Sequence, residues 1–136
     1  MADLARCTSG QWRPPLGYAA TELMLDALGD VDPEEIDEQL RDAAAYHSVA
    51  ELKSDRRVVI VADIARSEAH AIDGGHPADV TLDAAIPADA IACALVDEPD
   101  AIMDGEPAAA GDKAALDRLE ARDLLWFGPT ELAYVD

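Results

Sequence analysis

Apolar residues along this chain fall either into unbroken runs or into helical repeats. The most compact run is Val58-Val59-Ile60-Val61-Ala62: five consecutive apolar residues, four of them β-branched, preceded by Arg56-Arg57 and closed by Asp63. Such a run reads as a strand covered on both faces, and it is expected to be the central strand of a sheet. Ile91 to Val96 repeats the pattern. Asp79 to Ala85 alternates weakly, with Val80 and Leu82 on one side. It predicts a strand paired antiparallel with the central one, the Asp73-Gly74 turn signal lying in the 65–77 connector. Leu124-Leu125-Trp126-Phe127 is the last strand, ended by Gly128-Pro129, with Trp126 and Phe127 assigned to the core.

Between these runs the spacing changes to that of helices. Ala2–Cys7 predicts a short helix, and residues 19–28 a second, capped by Thr21 and stopped by Gly29. Asp32-Pro33-Glu34-Glu35 is the clearest helix start: a capping carboxylate, a proline in the first turn, and acids at the positive end of the dipole. That helix is expected to run to about Lys53, with Ile36, Leu40, Ala43, His47 and Ala50 on one face. His47 is therefore read as a packed or boundary histidine rather than a ligand. Asp97-Glu98-Pro99-Asp100 starts a short helix to Met103, residues 105–111 read as a loose alanine-rich linker, and Asp112 caps a helix reaching about Arg122.

These elements predict one α+β domain over residues 1–136. The expected architecture is a two-layer sandwich, a three- to four-stranded mixed or antiparallel sheet packed with helices. Two strands of continuous apolar character need cover on both faces. A helix, a loop or a second subunit must therefore lie over whichever face the main helices leave open.

Composition changes the picture in two ways. Aromatic residues make up only 4% of the 136, so the core must be aliphatic and alanine-rich. The formal net charge is -19, which repels phosphate backbones and argues against nucleic-acid binding. Of the basic residues only Lys53, Arg56 and Arg57 cluster. No apolar run approaches the ~18 residues of a membrane span, and the N-terminus lacks the pattern of a secretory signal. The expected compartment is the cytoplasm. Of the two cysteines, Cys93 lies in a strand pattern and is expected to be a buried free thiol.

The densest candidate chemistry is the segment holding Asp63, His70, Asp73, His76 and Asp79. Asp63, His70 and His76 are the candidate metal ligands, imidazole and carboxylate suiting Zn, Mn or Fe. Their spacing matches no established ligand pattern, and a solvated loop is the stronger reading. Gly74-Gly75 is too short for a phosphate cradle, and no serine sits in a nucleophile-elbow context. Trp12, Tyr18 and Tyr134 flank the ends of the chain and are candidates for a partner patch.

One set of segments carries a family resemblance. It comprises Gly17-Tyr18-Ala19 leading into two helices, Arg57 to Asp63, Ile86-Pro87 ahead of Ile91 to Asp97, and Asp123-Leu124-Leu125-Trp126-Phe127. With these the chain resembles an uncharacterised, mostly actinobacterial family of small acidic proteins. The resemblance implies no activity. It implies an additional first strand upstream of the first helix, so that Met1 is expected to lie downstream of it and the sheet to keep an uncovered edge. The expected role is a non-enzymatic protein-interaction or regulatory module, with a protein partner or a homo-oligomer, no cofactor, no nucleic acid and no membrane. The alternative is a small metal-assisted hydrolase or metal-binding protein using residues 63–79.

Overall fold

The computed structural model describes residues 2–72 and 77–135. Asp73, Gly74, Gly75 and His76 lie outside the described residues, and with them the Asp73-Gly74 turn. The chain runs through α1 (Ala2–Ser9), β1 (Gly17–Tyr18), α2 (Glu22–Leu28), α3 (Pro33–Ala50), β2 (Val58–Ala62), β3 (Ala69–Ala71), β4 (Asp79–Leu82) and β5 (Ile91–Val96). It ends with α4 (Ile102–Ala109), α5 (Lys113–Glu120) and β6 (Leu125–Phe127), followed by a 3-10 segment at Pro129–Tyr134. Among the described residues the strands form two antiparallel three-stranded sheets, ordered β1-β4-β3 and β2-β5-β6. The protein is an α+β sandwich of sheets and helices, as the apolar pattern predicts.

Strand order departs from expectation in two places. The Val58–Ala62 run is an edge strand, and β5 occupies the centre of its sheet. β2 tolerates the edge because α3 packs beside it. The Ser48 side chain accepts from the Val58 N–H at 3.2 Å, filling a donor that a neighbouring strand would otherwise take. The second correction concerns β4, which does not pair with β2. Its neighbours are β1 and β3, the latter lying inside the presumed connector. Strands of two and three residues carry no periodicity to read, so the second sheet is invisible in the pattern.

Partners across an antiparallel ladder share a face. Val58, Val96 and Leu125 form one row, and Ile60, Ala94 and Phe127 the next row on the same face. Most of these residues join Cys7 from α1, Val80 and Leu82 from β4, and Leu132 from the terminal 3-10 segment in the principal core. The opposite face carries Val59, Leu95 and Trp126 in one row. Val59 is buried and Leu95 half-buried, but Trp126 is 61% exposed, contrary to its assignment to the core. Phe127 does pack on the core, and Cys93 is buried with a free thiol; Cys7 is buried too and forms no disulfide.

The helices follow their start signals closely. Thr21 accepts from the Met24 N–H at 3.1 Å and Gly29 closes α2 at φ 69°, while Asp112 accepts from the Ala115 N–H at 3.1 Å. Asp32 makes no side-chain cap bond, and α3 stops at Ala50, the chain leaving it through Lys53 at φ 58°. The buried face of α3 is Ile36, Ala45, Ser48 and Val49, rotated from the expected stripe toward the small residues. His47 is half-buried, its ring edge-on to Tyr18 with centroids 6.0 Å apart.

The expected 105–111 linker is instead helical, forming much of α4 despite Gly105 and Pro107. Alanine explains this outcome. Ala101, Ala108 and Ala115 pack with Val49 and Leu119 into a cluster in which small side chains let α3, α4 and α5 approach closely. Gly105 permits the tightest approach: a Cβ there would stand 1.7 Å from the carbonyl oxygen of Asp55. Because that obstacle is backbone, rotamer adjustment cannot relieve it. Gly105→Ala should cost about 3 kcal/mol, the upper part of the overpacking range, read from urea unfolding midpoints. An unchanged midpoint would mean that α4 does not sit on the 54–55 turn.

Candidate functional site

Asp63 is exposed just past β2, its backbone N–H donating to the Ala90 carbonyl at 2.8 Å. His70 stands in β3 opposite Thr81, with its Nε2 2.9 Å from an Asp83 carboxylate oxygen, both side chains more than half exposed. A contact so open to water contributes at most about 1 kcal/mol. His76 lies outside the described residues. Among the described residues, no three His, Cys, Asp or Glu side chains converge as a metal site would require.

The aromatic candidates separate. Trp12 packs against the principal core, and Tyr18 against a cluster of Met24, Ile36 and Ala78. Burial, then the carboxylates of Asp79 and Glu51, raise the Tyr18 phenol above its ordinary value. Tyr134, at the end of the terminal 3-10 segment, is 82% exposed.

What the fold does bring together is charge at one end of the β2-β5-β6 sheet. Asp97 is fully buried, and Arg56 and Arg57 nearly so. Asp97 Oδ2 accepts from the Arg57 backbone N–H at 2.8 Å and from Arg57 Nε at 2.9 Å, while Oδ1 accepts from Arg57 Nη2 at 2.7 Å. Arg56 donates through Nε to the Asp97 carbonyl at 3.0 Å. Arg57 Nη2 also reaches the Arg122 carbonyl at 2.8 Å. Arg122 then donates to Glu98 at 2.8 Å and to Asp104 at 3.2 Å, and Arg118 donates to Asp104 at 2.9 Å. The hydrogen bond from Arg118, then that from Arg122, holds the Asp104 carboxyl below the usual carboxylate range.

This arrangement takes Arg56 and Arg57, two of the three basic residues that cluster in the sequence, into the interior. The overlooked signal is the pairing of strand ends. Two arginines precede one apolar run, and an aspartate follows the run that pairs with it antiparallel. Beside Arg57 a groove of about 220 Å³ opens between α3 and α5, lined by Asp42, Ala45, Tyr46, Leu116 and Glu120. At the far side of the sheet β6 has no strand on its outer edge among the described residues, and it presents Trp126 and the 43% exposed Leu125. Both surfaces sit on a scaffold held by the buried Arg57–Asp97 ion pair.

Fold and surfaces together define a small acidic α+β protein with an internal ion network. The chain belongs to a family of unknown function (DUF6912), whose profile matches residues 1–135. No curated protein and no solved structure matches it. No helix among the described residues is long and apolar enough to cross a membrane.

Two outcomes follow from the network. Asp97→Ala leaves the buried Arg57 guanidinium without its carboxylate and should cost about 3–5 kcal/mol. Replacing Arg57 and Asp97 together by apolar residues should cost less than the summed single changes, as double-mutant unfolding would show. The depressed Asp104 carboxyl contributes stability that is fully present above its unfolded value, about 3.9, and is lost as pH falls through its lower folded value. Asp104→Asn should therefore flatten the acid limb of a stability–pH curve below about pH 4. An acid limb identical to that of the parent chain would contradict the assignment.

Proposed function

We propose that this chain is a non-enzymatic protein-interaction module that associates with a second copy of itself through the β6 edge. The observation that carries the reading is Trp126: a large indole, 61% exposed, on a strand whose outer edge has no partner among the described residues. Half-buried Leu95 lies beside it in the same cross-strand row. Exposed edges carrying apolar side chains tend to pair with another chain. An antiparallel edge is also self-complementary across a twofold axis.

Charge sets the strength and the conditions. Two copies of net charge -19 repel each other, and a three-residue strand falls well short of the ~1,200 Å² that stable interfaces bury. The association is accordingly weak and strengthens as salt screens the repulsion. Sedimentation velocity across protein concentration should show a monomer–dimer equilibrium that shifts toward dimer between about 0.05 and 0.5 M salt. Trp126→Lys should abolish the dimer without changing the unfolding free energy by more than about 0.5 kcal/mol, because the side chain is mostly in water. A parent chain that stays monomeric at every salt concentration, or a dimer indifferent to Trp126→Lys, would remove the reading.

A further inference from the structure

We propose that the groove between α3 and α5 receives the cationic side chain, arginine or lysine, of a basic segment on a partner protein. Asp42 and Glu120 stand on its two walls, and among the described residues neither forms an ion pair. Ala45 and Leu116 supply apolar surface for an aliphatic stem, and the half-exposed Tyr46 ring offers a π-face to a cation. Arg57, also part of the lining, does not oppose a second cation strongly. Its guanidinium already faces the Asp97 carboxylate at 2.7 and 2.9 Å.

Size narrows the occupant. At about 220 Å³ the groove holds the equivalent of about seven waters at ~30 Å³ each, below the ~300 Å³ at which pockets for drug-sized ligands begin. One long side chain fits that space. The rim extends the complementarity. Glu38 lies one turn before Asp42 on α3, and Asp117 one turn before Glu120 on α5, both exposed. Residues flanking the inserted cation in an extended basic segment would meet these carboxylates. The net charge of -19 would steer such a partner from a distance. This site shares no residue with β6, so it stands apart from self-association.

The test titrates the full chain with a capped Gly-Arg-Gly-Lys-Gly peptide at about 0.15 M salt, where long-range attraction is largely screened, following amide shifts by NMR. The expected result is saturable shifts confined to residues around 42, 46, 116 and 120. The Asp42→Asn/Glu120→Gln pair should weaken binding about tenfold. The charge-matched control Glu34→Gln/Glu35→Gln, elsewhere on α3, should change it less than about twofold. Tyr46→Leu should weaken binding about threefold, and Tyr46→Phe should retain it. Circular dichroism of each variant checks that it is folded. Equal weakening by both acid pairs would reduce the effect to bulk charge and overturn the proposal. So would shifts scattered over the surface, or displacement of the peptide by an equal concentration of spermidine.

Discussion

The Asp97 carboxylate is the constraint on which the arrangement of this protein depends. It sits fully buried at the end of the central strand β5, and both its oxygens are occupied by Arg57. Removing two such charges from water costs several kcal/mol per ion, so the pair adds little net stability over an apolar substitute. What it fixes is geometry. An apolar ladder of valines, alanines and isoleucine could slide by a residue pair with modest loss. A carboxylate that must meet one particular backbone N–H and one particular guanidinium fixes the register at Val58↔Val96. Arg57 extends the constraint to the Arg122 carbonyl, and so fixes where α5 hands the chain to β6.

Around that point the helices are assembled by smallness. With few aromatic side chains, the α3–α4–α5 cluster gains its density from alanines and from Gly105 against the Asp55 carbonyl. Close backbone approach substitutes for bulk, leaving little room for enlargement. The outer surface is strongly acidic, so the domain keeps its core together while each surface carboxylate repels its neighbours.

Much of the fold could be read from the sequence, because the signals that persist are local ones. The caps at Thr21, Gly29 and Asp112 and the proline at Pro33 work within one turn, and their reading survives in the structure. The continuous runs at 58–62 and 91–96 identified real strands for the same reason. Which of the two is central was not legible. Composition reports that a strand is covered, not whether the cover is a strand or the end of α3. Strands as short as Gly17–Tyr18 and Ala69–Ala71 owe their existence to β4, not to their own residues. The breakers Gly105 and Pro107 misled because tertiary packing outweighed propensity. The candidate site was hidden more deeply. The groove joins residues 42–46, 57 and 116–120, a juxtaposition only the tertiary fold creates, and the sequence drew attention instead to the histidines near residue 70.

Arg57 is held by hydrogen bonds to two separate parts of the chain, the Asp97 carboxylate and the Arg122 carbonyl. A terminal strand of three residues would ordinarily fray on its own. Here the residues leading into β6 are tied to the same guanidinium that holds β2 to β5. Peeling β6 away at that end therefore means disturbing the whole sheet. The last strand opens and closes as part of one cooperative unit, so the surface it carries is presented as rigidly as the core beneath it.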